Sequence, residues 1–141
     1  MIFVVFDTNV IVSAIYWPRG TARRCLAGLA RRQFGLAVTR EVFDEYESLT
    51  TEFQPRFPGC NSDGALGWLR LKARWVDPAP LGKQRSRDPR DDPFLSCAVS
   101  VRARFLVTRD GDLLALQKPF GVETITPAQL VRWLRQSKRP T

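Results

Sequence analysis

The sequence predicts an α/β domain in which a mainly parallel, twisted sheet is covered by helices on both faces. Three observations carry that prediction. Short apolar runs rich in β-branched and aromatic residues alternate with stretches whose apolar residues recur three and four apart. A hydrophobic content of 44% is enough for a packed core, and no apolar run approaches the roughly 20 residues that cross a bilayer. At 141 residues the chain has the length of one ordinary domain, so residues 1–141 are read as a single unit.

Four stretches read as strands: Ile2–Phe6, Leu36–Val38, Phe105–Thr108 and the weaker Val122–Ile125. Residues 2 to 15, "IFVVFDTNVIVSAI", place a buried strand directly before a helix; they lack the basic flank and small-residue cleavage site of a signal peptide. Helical spacing follows at Thr21–Arg32, Arg40–Thr51, Asp63–Ala73, Asp91–Ala103 and Pro127–Gln136, the last opened by Thr126 as cap and Pro127 at the first position. Two segments read as loops, "EFQPRFPGCNSDG" and the proline-rich, basic stretch 77–93. The second is long enough to suggest a functional loop.

Composition excludes several chemistries. Histidine is absent, and Cys25, Cys60 and Cys97 are widely spaced, so zinc sites and His-based nucleophilic machinery are not expected. Chemistry must run on carboxylates, hydroxyls, amines or a bound metal. A net charge of +8, with 18 of the 22 basic residues arginine, favours a polyanionic partner such as nucleic acid. Candidate phosphate contacts are Arg19, Arg23, Lys83, Arg85, Arg87 and Arg90. The chain is expected in the cytoplasm, with no membrane association.

Several carboxylates stand where structure alone does not ask for them. Asp7 follows five apolar residues and either caps a helix or lies in a site. Glu45 occupies the i+3 slot of the inward stripe Val42, Tyr46, Leu49, where an apolar residue is expected. Asp91 extends the stripe of Phe94, Leu95, Ala98 and Val101 back by one turn, while Asp92, before Pro93, suits an N-cap. Asp110 follows a strand, after Thr108, as Asp7 does; Asp112 suits a cap for a helix starting at Leu113. Acids gathered beyond the carboxyl ends of parallel strands would repel one another unless a cation lay between them. Oxygen-only ligands point to Mg²⁺ or Mn²⁺, which would also bridge the carboxylates to a phosphate and activate water.

The segments "VFDTNVIVSA", "VTREVFDEYESL", "DPRDDPFLSCAV" and "FLVTRDGDLLAL" together resemble the PIN domain family, and most closely its toxin–antitoxin branch of VapC-like ribonucleases. The resemblance implies a five-stranded, three-layer α/β/α domain and places the four metal-site acids on Asp7, Glu45, Asp91 and Asp110. Thr8, Asn9 and Thr108 would support them, and Asp88, Asp92 and Asp112 would flank them. It also implies Mg²⁺- or Mn²⁺-dependent RNA cleavage, a cognate antitoxin and a homodimer. The expected activity is therefore metal-dependent endoribonuclease; the alternative is an inactive RNA- or antitoxin-binding module. A phosphoacceptor domain is disfavoured because none of Lys72, Lys83, Lys118 and Lys138 directly follows a strong strand. The segment 55–75 carries little signature and is expected to form a helical clip or partner surface.

Overall fold

The computed structural model describes residues 1–81 and 92–137. Its elements run β1 (Phe3–Phe6), α1 (Thr8–Tyr16), α2 (Thr21–Ala30), β2 (Gly35–Val38), α3 (Arg40–Phe53), α4 (Ser62–Lys72), β3 (Arg74–Trp75), α5 (Asp92–Ser100), β4 (Phe105–Val107), α6 (Gly111–Ala115), β5 (Glu123–Ile125) and α7 (Pro127–Ser137). Short 3₁₀ turns lie at Gln54–Arg56 and Pro119–Gly121. The strands form one five-stranded sheet, ordered β3-β2-β1-β4-β5, in which every pairing is parallel.

The middle of the sheet is apolar throughout because helices cover it. Val4, Val5, Phe6, Leu36, Ala37, Val38, Leu106 and Val107 are all fully buried, the continuous pattern of a parallel sheet shielded on both faces. Helix α5 lies over β1, β2 and β4, and its Phe94–Ala98 segment is buried all round rather than along one stripe. Helix α2 packs against α1 and α7. That contact depends on Gly28, where an added Cβ would come within 2.8 Å of Leu134 and 3.0 Å of Phe34.

Caps explain where the helices start. Thr39 Oγ1 accepts from Val42 N at the head of α3. Thr126 and Gln129 form a reciprocal capping box at α7, as the Thr-Pro opening suggested. Two helices stop earlier than their apolar spacing predicts. Arg32 and Arg102 both adopt positive φ, and the next residues donate back five positions, Gln33 N to Gly28 O and Ala103 N to Ala98 O. These are Schellman closures.

The structure corrects three further expectations. Strand β3 has no apolar alternation to announce it, because Arg74 and Trp75 are both exposed at the sheet edge. The segment read as a loop from Glu52 begins inside α3, which continues to Phe53 because Phe53 and Phe57 stack on Tyr16 with centroids 6.0 and 4.9 Å away. Asp112 is not a cap: Asp110 caps α6, which begins at Gly111. Asp88, Asp91, Lys83, Arg85, Arg87 and Arg90 lie outside the described residues, as does most of the proposed basic loop. Among the described residues no helix is long and apolar enough to cross a membrane.

Candidate active site

Register builds the site. Phe6 on β1 is paired with Val107 on β4, so the residues that follow, Asp7 and Thr108, leave the carboxyl edge of the sheet side by side. Asp7 N extends the ladder by donating to Val107 O at 2.9 Å. Both side chains are buried.

Three donors fix the Asp7 carboxylate. Oδ1 accepts from Thr8 N at 2.8 Å, which makes Asp7 the N-cap of α1. Oδ2 accepts from Thr108 Oγ1 at 2.6 Å and from Asn9 Nδ2 at 3.1 Å. Thr108 in turn accepts from Asp110 N at 2.9 Å, and Asp110 Oδ1 accepts from Asp112 N at 2.8 Å. The hydrogen-bonded group therefore unites Asp7, Thr8, Asn9, Thr108 and Asp110, with Asp112 attached through its backbone. The cap reading of Asp7 holds, and the other oxygen of the same carboxylate joins Thr108 and Asn9.

Electrostatics at this group are dominated by burial. Desolvation raises the Asp7 carboxyl above its ordinary value despite the opposing hydrogen bonds from Thr108, Thr8 and Asn9, and the charge of Asp110 pushes it further up. The ionised form of Asp7 is thus disfavoured where it sits. A cation would offset that.

Glu45 lies on α3. It is half-buried beside Tyr46, whose hydroxyl donates to Phe6 O, the last carbonyl of β1. Burial raises the Tyr46 hydroxyl well above its usual range, and charges on Cys97, Asp7 and Glu45 add to the effect. Glu41, Asp44 and Ser48 are exposed, as their spacing implied. Asp92 is the first residue of α5 rather than a residue preceding it. Among the described residues no three His, Cys, Asp or Glu side chains form a metal-binding group.

The sequence reading missed Tyr46, Thr39 and Arg109 as residues of this edge. Tyr46 was read as core, and its long reach to Phe6 O has no local signature. Exposed Arg109 follows Thr108 directly and donates to Ser13 Oγ at 3.1 Å. Of the expected phosphate contacts, Arg19 is exposed, while Arg23, also exposed, spends its Nε on Ala14 O at 2.8 Å and ties α2 to α1.

A PIN domain model matches residues 3–112, a span that contains all of these side chains. The chain belongs to the PIN domain family. PIN domains are in general nucleases that work with divalent ions. Solved structures share the fold, among them the following two. One is the crystal structure of VapBC2 from Rickettsia felis bound to a DNA fragment from their promoter, with a TM-score of 0.60 and 15% identity over 88% of this chain and 98% of that one. The other is PAE2754 from Pyrobaculum aerophilum, with a TM-score of 0.60 and 18% identity over 96% and 90%. No curated protein matches the chain by sequence.

The donor set of this PIN domain suits a hard divalent ion. All its side-chain donors are oxygens, and the buried Asn9 Oδ1 and Thr8 Oγ1 have no hydrogen-bond partner. Asn9 points its amide nitrogen at Asp7, while its amide oxygen is left buried without a partner.

Proposed function

We propose that this PIN domain is a Mg²⁺- or Mn²⁺-dependent endoribonuclease and the toxin of a toxin–antitoxin pair. The observation that carries the reading is the hydrogen-bonded Asp7–Thr108–Asp110 group at the carboxyl edge of the sheet, where burial, and then the nearby Asp110 charge, disfavour the ionised form of Asp7. Asp7, Asp110, Glu45 and Asp91 would hold the ion, with Asp92 and Asp112 beside them. When bound, a divalent ion would supply positive charge that favours the ionised form of Asp7, neutralise a scissile phosphate and lower the pKa of water.

The protein's own part is positioning. Three donors lock the rotamer of Asp7, and Asp112 N does the same for Asp110. Thr8 and Asn9 offer unpartnered oxygens that can orient an attacking water. Surface arginines draw the RNA backbone to the acidic edge, which is why an acidic pocket can serve a chain of net charge +8. A cognate antitoxin and a homodimeric state belong to the same proposal; an antitoxin complex is the state in which the Rickettsia felis neighbour was solved.

The test is Asp7→Asn, assayed on single-stranded RNA in Mn²⁺. We expect a folded protein whose cleavage rate falls at least about a hundredfold, the scale for losing a charge-stabilising group. Cleavage at the parent rate would overturn the site. The second reading is a non-catalytic RNA- or antitoxin-binding module, favoured by the lack of a three-carboxylate group among the described residues. Calorimetric titration separates the two: no Mn²⁺ binding at millimolar concentration supports the module.

A further inference from the structure

The carboxyl edge continues past Asp7 into a cleft of about 650 Å³ that the proposed cleavage chemistry leaves unused. Its lining runs from the start of α3 to the last residue of β3 and the three residues that follow it. Arg40 follows Thr39 at the end of β2, and Asp77 follows β3 by two residues. Because β2 lies between β3 and β1, the β3 side of the cleft stands about 10 Å, two strand spacings, from the strand that leads to Asp7.

Its chemistry is specific. One wall is the face of α3 that carries Arg40, Asp44 and Glu47 at i, i+4 and i+7. The other holds Trp75, 41% exposed but rigidly seated. The Phe43 ring lies 5.1 Å from it, its Nε1 donates to Arg70 O at 3.0 Å, and the Arg70 guanidinium sits 5.8 Å from its centroid. Arg70 is itself committed, pairing with Glu47 at 3.1 Å and covering the Phe43 ring at 4.7 Å. Among the described residues, Arg40, Asp44 and Asp77 make no ion pair, so one cation and two carboxylates face the cleft around a fixed indole.

A phosphate alone is a poor occupant, because two acids would repel it. A planar base suits the cleft better: it stacks on the indole and presents N–H donors to carboxylates. Guanine matches best, since its N1–H and N2–H groups form an adjacent pair of donors, whereas uracil presents carbonyl acceptors on both sides of its single N–H. We propose that this cleft is a nucleobase subsite, in which a guanine of single-stranded RNA stacks on Trp75, donates to Asp44 and Asp77, and places its phosphate against Arg40. The proposal rests on the RNA-cleavage reading and adds to it a preference for guanine near the scissile link.

The test is fluorescence anisotropy of the full chain in a metal chelator, with labelled single-stranded hexamers containing guanine, inosine or only uracil. We expect the guanine hexamer to bind tightest, Trp75→Leu to weaken it about tenfold or more, and Trp75→Phe to restore most of the loss. Inosine, lacking the N2 amino group, should weaken binding to the parent but not to the Asp44→Asn, Asp77→Asn double variant. Equal binding of uracil and guanine hexamers, or parent-like affinity in a folded Trp75→Leu chain, overturns the subsite. Cleavage assays in Mn²⁺ keep the two readings apart. Guanine binding that depends on Trp75 in a chain that cuts no RNA refutes the nuclease and supports the subsite; cleavage with KM unchanged in Trp75→Leu refutes the subsite alone.

Discussion

Thr108 Oγ1 lies 2.6 Å from Asp7 Oδ2 and donates to it, while accepting from Asp110 N at 2.9 Å. One hydroxyl therefore sets the position of both acids that end the central strands. Its own position is fixed by the β1–β4 register and by Thr108 N donating to Ile125 O on β5.

Thr108→Val keeps the shape and removes both bonds. Loss of an outer hydrogen bond to a metal-ligating group commonly costs about 10–100-fold in metal affinity or activity. We expect Mn²⁺ affinity, measured by calorimetry, to fall by about that range in Thr108→Val and to recover in Thr108→Ser, which retains the hydroxyl. Unchanged affinity in the valine variant would show that Thr108 does not position the acids.

The buried Asp7 gives a pH dependence of defined sign. Its carboxyl titrates above the ordinary value of 3.8 because burial disfavours the charged form. The folded chain therefore holds this proton more tightly than the unfolded chain does. The associated stability is present at acid pH and is lost as pH rises from the ordinary value through the raised one. Without divalent ions, Asp7→Asn should flatten the decline in thermal midpoint that the parent shows across that window. With Mn²⁺ the parent should regain stability above the window and the variant should not. A parent chain whose midpoint rises steadily through the window, with a slope identical to that of Asp7→Asn, would contradict this.

Tyr46 ties α3 to the end of β1 through the bond from its hydroxyl to Phe6 O. Tyr46→Phe leaves a buried carbonyl without this donor, a defect worth about 1–3 kcal/mol. Chemical denaturation should show that loss as a lower midpoint with an unchanged slope. Because Glu45 sits next to Tyr46 on α3, cleavage should fall beyond what the lost stability explains.

Much of this architecture is written locally, and the parts that escape reading are those decided by distant contacts. The strands of the sheet's centre announce themselves as apolar runs because both faces are covered, and the α7 start is legible in Thr126-Pro127. Asp7 and Asp110 were legible as acids at strand ends, but their union through Thr108 needed the register of β1 on β4. Strand β3 was invisible because its two residues, Arg74 and Trp75, are exposed and pair only through their backbone. The ends of α2 and α5 were overrun because arginine, not glycine, takes the left-handed closing position at Arg32 and Arg102.

The three cysteines should separate sharply by reactivity. Cys25 and Cys97 are buried, and burial pushes both thiols up to about 12, so neither supplies appreciable thiolate near neutral pH. Cys60 is half-buried between the 3₁₀ turn and α4, where its carbonyl, not its thiol, is held by Gln54 Nε2 at 2.8 Å. In the native chain a disulfide reagent at pH 8 should label Cys60 alone, and Cys60→Ser should abolish the fast reaction. Slow labelling of the remaining two thiols should then track global unfolding and accelerate in Tyr46→Phe, since that variant loosens the α3–β1 tie on which the covering of Cys97 depends. Fast labelling of Cys97 in the folded parent would mean that α5 is not seated over the sheet as described.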